Sequence, residues 1–369
     1  MVDRCRGRAG PDELDPPAVD NLVGGGRRDR HRPAEMMSNP HTHRTEYPAT
    51  PGQPPAEMEV DEQLVRRLLL DQHPDLAHLP LQWADAGWDN VLWRLGDELA
   101  VRLPRRQTAV ALTLKEQRWL PLLADQLPLP VPRPVRMGRP GGGFPWPWTV
   151  VRFVAGEPGD RHPLTDGPGA AKQLATFLQA LHVPAPPGAP VNPVRGSAPL
   201  GARTADFHRR VTAVGAEVDP GPLRALWQAG LDAAGPQGPP VWLHADLHPA
   251  NTLSGRGTLV GVLDFGDMCA GDRSNDLAAA WLLLPEGAAD TFFDAYGDVD
   301  DDTMRRARAW AVHLAVMLLD IGLAGQRGDP GGKPTWAPLA RAALGRLMPL
   351  PPFLPYREGG GLPQTTETC

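Results

Sequence analysis

Three residues at fixed spacing, His244, Asp246 and Asn251, are followed by a fourth, Asp264, which opens an Asp-Phe-Gly tripeptide. They stand within VWLHADLHPANTLSGRGTLVGVLDFGD, residues 241–267. This stretch reads as an apolar strand, a tight polar loop, a hairpin turn at Ser254 to Gly257, a second apolar strand and a carboxylate at its end. Two carboxylates and an amide in this order suit phosphoryl transfer. That reaction asks a protein to position a hydroxyl, accept its proton and hold metal-bound phosphates. Asp246 is placed as the catalytic proton acceptor. Asn251 and Asp264 offer the hard oxygen ligands that Mg²⁺ prefers, and a hairpin returns them to one cleft. His244, between apolar neighbours, reads as a buried loop anchor rather than an acid.

Each part alone has a plainer explanation. H-x-D-x4-N is short enough to recur by chance, and Asp-Phe-Gly is commonly only a turn. Their order, and the hairpin pattern joining them, carry the chemical reading.

The elements that must position these groups follow from composition and pattern. At 369 residues the chain is long enough for two lobes with a large core. A net charge of −6 gives no sign of a nucleic-acid or anionic-membrane partner. The three cysteines, Cys5, Cys269 and Cys369, lack metal spacing, which fits a reducing cytoplasm. Cys269 reads as a small buried filler. No signal-peptide pattern opens the sequence, and apolar runs such as Ala311 to Leu319 are shorter than a bilayer span. A soluble cytoplasmic protein is therefore expected.

Residues 1–56 are polar and rich in Arg, Gly and Pro, so a disordered extension is expected there. VDEQLVRRLLLDQ then has helical spacing with Asp61 as cap. VLWRL and ELAVRL, joined by Gly96-Asp97, form a hairpin preceded by the loop Gly87-Trp88-Asp89-Asn90. ALTLKEQRWLPLLADQL is a helix carrying Glu116. LPLPVPRPVRMG, with prolines at alternate positions, suits an edge strand. The remainder is largely helical up to about residue 350, and a loose tail is expected over 351–369.

HADLHPANTL followed by VLDFGD resembles the catalytic and metal loops of the aminoglycoside phosphotransferase family, small-molecule kinases built like protein kinases. GDRSNDLAAAW resembles the family's next segment, with Asp272 opening it and Asp276 capping a helix. The resemblance runs over roughly Glu59 to Leu350. It implies an α+β, protein-kinase-like two-lobed fold, with an antiparallel-sheet lobe at 57–152 for the nucleotide and a mainly helical lobe at 153–350 for catalysis and substrate. It implies Mg²⁺ as cofactor and ATP or GTP as co-substrate. The loop bearing Gly87 and Asn90 would cover the phosphates. Trp88 within it would cover the nucleotide or simply pack. Arg102 stands where kinases carry a phosphate-gripping lysine, and Glu116 would be its partner or only a solvated helix residue. Arginine is a departure, since a planar fork differs from an ammonium point charge. WTVVRFVAGEP resembles the strand entering the linker, whose backbone at Phe153 and Val154 would meet the adenine. His248 would offset transition-state charge or orient the loop.

No protein-kinase activation segment ending in Ala-Pro-Glu follows Gly266, which points to a small hydroxyl-bearing substrate rather than a peptide. For a polycationic aminoglycoside, acidic groups are expected near the acceptor: Asp267, Glu286, Asp290, Asp294 and the run Asp298 to Asp302, unless that run only starts a helix. The expected activity is γ-phosphate transfer to an aminoglycoside or similar antibiotic. The alternatives are a kinase of a sugar, amino sugar or amino alcohol, and a nucleotide-binding module without turnover. The sequence leaves oligomeric state open.

Overall fold

The computed structural model describes residues 55–348. The expected tail at 351–369 and the extension at 1–56, except for its last two residues, lie outside the described residues, as do Cys5 and Cys369.

The chain begins with helix α1 (Glu62–Gln72), whose first turn is closed by Asp61 accepting from the Leu64 N–H at 2.7 Å. Strands β1 (Leu81–Ala86), β2 (Asn90–Leu95) and β3 (Leu99–Pro104) follow as an antiparallel meander. Helix α2 (Val110–Leu123) then crosses to strands β4 (Pro134–Gly138) and β5 (Trp148–Arg152). The five-stranded sheet has the order β1-β2-β3-β5-β4 and is antiparallel throughout. β4, entered from a proline-rich stretch and opening with Pro134, is at its edge, where a missing N–H costs no ladder bond. Trp93 and Trp148 are fully buried in this lobe. Gly138 pairs with Trp148, and a Cβ there would come within 2.0 Å of the indole, so only glycine fits.

The second lobe is mostly helical. After the short strand β6 (Glu157–Pro158) come α3 (Gly167–Leu181), α4 (Thr204–Ala213) and α5 (Pro220–Leu231). Strands β7 (Val241–Leu243), β8 (Thr252–Gly255), β9 (Thr258–Val262) and β10 (Cys269–Gly271) then carry the motif residues. The helices α6 (Ser274–Leu277), α7 (Ala279–Leu283), α8 (Ala288–Tyr296), α9 (Asp301–Arg327) and α10 (Trp336–Leu347) complete it. One contiguous core of Leu, Ala, Val and aromatic side chains runs through these helices. At its centre is α9, packed against α5 and α10. Its 27 residues exceed the apolar run seen in the sequence and are long and apolar enough to cross a bilayer by composition alone. However, 67% of its most apolar stretch is buried inside the protein, as in a core helix.

Candidate active site

The local fold explains why the motif residues converge. β8 and β9 form a short antiparallel ribbon in which Thr252 pairs with Val262, and Leu263 N–H donates to Asn251 C=O at 2.8 Å. The residues just outside the ribbon, Asn251 and Asp264, are therefore neighbours. β7 is tied to β10 instead, with Leu243 opposite Cys269, so the loop at Asp246 and the segment after Asp264 are held on one frame.

Two buried groups fix the Asp246 loop. His244 is fully buried; its Nε2 donates to Leu263 C=O at 2.8 Å, and its Nδ1 accepts from the Asp246 N–H at 3.2 Å. It thus joins the loop to the chain just before Asp264. Asp276 accepts from the N–H of His244 at 2.7 Å and of Ala245 at 2.8 Å. This corrects the expectation that Asp276 caps a helix: it lies within α6, and its carboxylate holds the loop. Asp272 is the residue that closes the start of α6, accepting from the Ser274 N–H at 3.1 Å. Ala245 has φ 70° and Asp264 φ 57°, left-handed conformations that cost non-glycine residues energy and mark the two loops as constrained.

Asp246 sits among polar partners. Arg195 Nη2 lies 2.7 Å from its Oδ1, and Asn251 Nδ2 donates to its Oδ2 and its backbone carbonyl, both at 3.0 Å. His248 Nε2 is 3.5 Å from Oδ2. Burial acts to raise the Asp246 pKa, but Arg195, followed by His248, outweighs it and holds the carboxyl well below the usual carboxylate range. Because the Asn251 amide nitrogen faces Asp246, its carbonyl oxygen is left for another partner.

Arg102 on β3 reaches Glu116 of α2 and Asp264 together. One guanidinium nitrogen contacts Glu116 Oε2, and the other lies 2.9 Å from Asp264 Oδ1. Asn90, with its amide oxygen turned toward Arg102, accepts from Nη2 at 2.9 Å and Nε at 3.2 Å. Burial would lower the guanidinium pKa, but the two carboxylates raise it, so the charge is firmly held.

A cavity of about 600 Å³ gathers Gly87, Asn90, Arg102, Asp246, His248, Asn251 and Asp264. It adjoins one of about 550 Å³ lined by Phe153, Val154 and apolar groups of both lobes, among them Leu92, Ala100 and Leu253. The N–H groups of Arg152 and Phe153 are taken by the carbonyls of Arg133 and Glu98, each within 2.9 Å. Trp88 packs: its ring stacks on Trp336 at 6.0 Å.

The acidic surroundings differ from expectation. Asp267 lines the cleft, but Glu286, Asp290, Asp294 and Asp298 to Asp302 do not. Asp300 instead caps α9, accepting from the Thr303 N–H at 2.8 Å. Sequence reasoning missed Arg195 and Asn192, which come from an aperiodic loop and meet Asp246 and Asp267 only through the fold. It also missed Lys333 and Trp336, brought into the cleft by the turn before α10.

Among the described residues no group of three or more His, Cys, Asp or Glu could hold a metal unaided. Asn251 and Asp264 nevertheless suit Mg²⁺, which binds through one or two protein oxygens plus phosphates and water. Asn251 keeps a free carbonyl oxygen, and the Asp264 side chain is 44% exposed to the cleft.

Comparisons with solved structures place this fold. The GDP complex of wild-type aminoglycoside 2'-phosphotransferase-IIIa is 21% identical, with a TM-score of 0.54, covering 78% of this chain and 98% of that one. The GDP and kanamycin complex of APH(2")-IIia is 22% identical, with a TM-score of 0.54, over 77% and 97%. Macrolide 2'-phosphotransferase type I is 19% identical, with a TM-score of 0.50, over 79% and 98%. At these identities the likeness is one of fold. No curated protein matches the chain significantly. The model of the phosphotransferase enzyme family (APH) matches residues 81–310, which span the sheet, the linker and the converging loops, and the chain accordingly belongs to that family.

Proposed function

We propose that the chain is a Mg²⁺-dependent small-molecule kinase that transfers the γ-phosphate of ATP or GTP to a hydroxyl group. The observation that carries this reading is the convergence of Asp246, Asn251 and Asp264 in one cleft beside an apolar pocket of about 550 Å³, large enough for a nucleobase. Asp246 accepts the hydroxyl proton and orients the attacking oxygen. Asn251 and Asp264 would hold Mg²⁺, which neutralises phosphate charge when bound. Arg102 directs its charge toward the phosphates, Glu116 fixes its fork, and the Gly87 to Asn90 loop covers the cleft from above. His248, whose Nδ1 accepts from the Ala250 N–H at 3.3 Å while its Nε2 faces Asp246, orients the loop.

A kanamycin complex among the structural neighbours makes antibiotics the first acceptors to try. A second reading is a nucleotide-binding module without turnover. It is favoured by the Arg102–Asp264 contact, which occupies one oxygen of a metal ligand. The deciding experiment is transfer from ATP and GTP to aminoglycosides, macrolides, hexosamines and choline, with product read by mass. Nucleotide binding with no phosphorylated product across the panel would favour the second reading.

A further inference from the structure

The charges lining the cleft restrict its acceptor, provided that the chain is the kinase proposed above. A polycation is recognised by carboxylates free to face it. Of the six carboxylates that line it, four are paired with arginines, and the other two, Asp85 and Asp160, face Lys333. Asp246 and Asp267 share Arg195, at 2.7 and 3.2 Å, and Asp267 also accepts from Asn192 Nδ2 at 2.9 Å. Asp264 is on Arg102, Asp89 is 2.5 Å from Arg106, and Asp160 accepts from Thr335 Oγ1 at 3.0 Å. The cations are in the opposite condition. Arg161 and Lys333 line the cleft, and neither side chain forms an ion pair or hydrogen bond among the described residues. Lys333 is half-buried. Burial lowers its pKa, partly offset by Asp85 and Asp160, which face it along with Arg161 and Arg105.

The uncharged part of the wall is apolar and aromatic. Trp88, Met317, Ile321 and Trp336 line the same cavity as Asp246. The rings form a path to that carboxylate: Trp88 stacks on Trp336 at 6.0 Å, Trp336 packs on His248 at 4.9 Å, and His248 is 3.5 Å from Asp246. The Trp88 indole N–H is buried without a hydrogen-bond partner, leaving a donor for an oxygen-bearing ligand. Met317 and Ile321 come from α9, and Lys333 and Trp336 from the turn into α10, all beyond residue 310, where the family match ends.

We propose that the acceptor is a hydroxyl compound with an apolar face and no more than one positive charge, seated against Trp336, Met317 and Ile321 while Lys333 disfavours polycations. The acceptor oxygen bonds to the γ-phosphorus as its proton passes to Asp246. The bond from that phosphorus to the bridging oxygen breaks, and its electron pair leaves on the nucleoside diphosphate.

The test uses the full chain with Mg-ATP and three probes: erythromycin (large, apolar, one amine), chloramphenicol (neutral aromatic diol) and kanamycin (polycation). Product is read by mass, and binding without nucleotide by quenching of tryptophan fluorescence. Erythromycin or chloramphenicol should exceed kanamycin in kcat/KM by about 100-fold or more, as like-charge mismatch costs several kcal/mol. Trp336→Ala should raise the KM for the favoured acceptor about tenfold or more, through loss of a large aromatic contact. Lys333→Glu, which reverses the charge, should narrow the gap by improving kanamycin. Trp336→Phe replaces the alanine variant if the latter does not fold. A preference for kanamycin, or selectivity untouched by Lys333→Glu, overturns the inference. Binding of erythromycin or chloramphenicol in preference to kanamycin, with no phosphorylated product, supports the acceptor class while removing the kinase reading. Binding of none of the three overturns the acceptor class.

Discussion

Arg195 Nη2 lies 2.7 Å from Asp246 Oδ1, so the carboxylate proposed to take the acceptor proton is ion-paired inside the cleft. Burial alone would raise its pKa, and Arg195 is the main group that lowers it. The folded-state value lies below the unfolded one. The pair's stabilisation is therefore present above the usual carboxylate range and is lost as pH falls through the depressed folded-state pKa. In the wild type Asp246 should stay ionised across the working range. Arg195→Ala removes the charge and leaves burial, so the acid limb of kcat should move to higher pH, with Arg195→Lys intermediate. Identical kcat–pH profiles for wild type and Arg195→Ala would remove Arg195 from this role.

Asp246→Asn keeps the shape of the side chain and its hydrogen bond with Asn251 while abolishing the base. kcat should fall by about three orders of magnitude, in line with losses of key groups elsewhere. Nucleotide affinity, measured by calorimetry, should change little, because the proposed partner of Asp246 is the acceptor hydroxyl. A kcat within about tenfold of wild type would place the proton acceptor elsewhere.

Arg102 joins Glu116 of α2 to Asp264, which follows β9. Arg102→Ala should raise the nucleotide KM by about tenfold or more. It should also destabilise the fold by about 3–5 kcal/mol, because the buried Glu116 would be left without its partner. Arg102→Lys keeps a charge but loses the fork, so it should retain stability better than Arg102→Ala while binding nucleotide more weakly than wild type. Nucleotide titrations and urea unfolding of both variants separate the two effects.

What was legible in the sequence was local. The ribbon from Thr252 to Val262 is two apolar runs around a turn, so Asn251 and Asp264 could be placed together from pattern alone. Arg102 and Glu116 were placed by family resemblance on adjacent elements. Arg195 was not legible, because VNPVRGSAPL has no periodicity and its contact with Asp246 depends on tertiary folding. Asp276 was placed as a helix cap by the family resemblance of GDRSNDLAAAW. Its buried carboxylate instead satisfies the N–H groups of a loop that has no regular structure of its own. The acidic run at 298–302 illustrates the reverse case: charge density suggested a substrate surface, and the helix-start explanation describes Asp300.

Cys269 pairs with Leu243 across β7 and β10 and is fully buried. Burial is the main cause that pushes its thiol pKa up to about 11, and little thiolate exists near neutral pH. Iodoacetamide at pH 8 should leave Cys269 unmodified in the folded protein and alkylate it after denaturation, as mapped by peptide mass. Rapid modification of Cys269 in the folded protein would show that the β7–β10 pair opens.

The Asp276 carboxylate satisfies two consecutive N–H groups, and with them it holds Ala245 at φ 70°. That conformation costs an L-residue about 1–2 kcal/mol, so the loop needs both bonds to persist. Asp276→Asn offers one oxygen where two are needed, and a buried N–H left unpaired costs about 1–3 kcal/mol. Stability in urea should fall by that amount, and Asp276→Ala, which loses both bonds, should fall further. The catalytic consequence is separable, because Asp246 directly follows Ala245. A shift of about 1 Å in a catalytic group can cost about 100-fold in rate. kcat of Asp276→Asn should therefore drop well below that of a variant about equally destabilised at a distant site, such as Asp61→Ala at the start of α1, while nucleotide KM stays close to wild type. Equal kcat in the two variants at equal stability would reduce Asp276 to a purely structural residue.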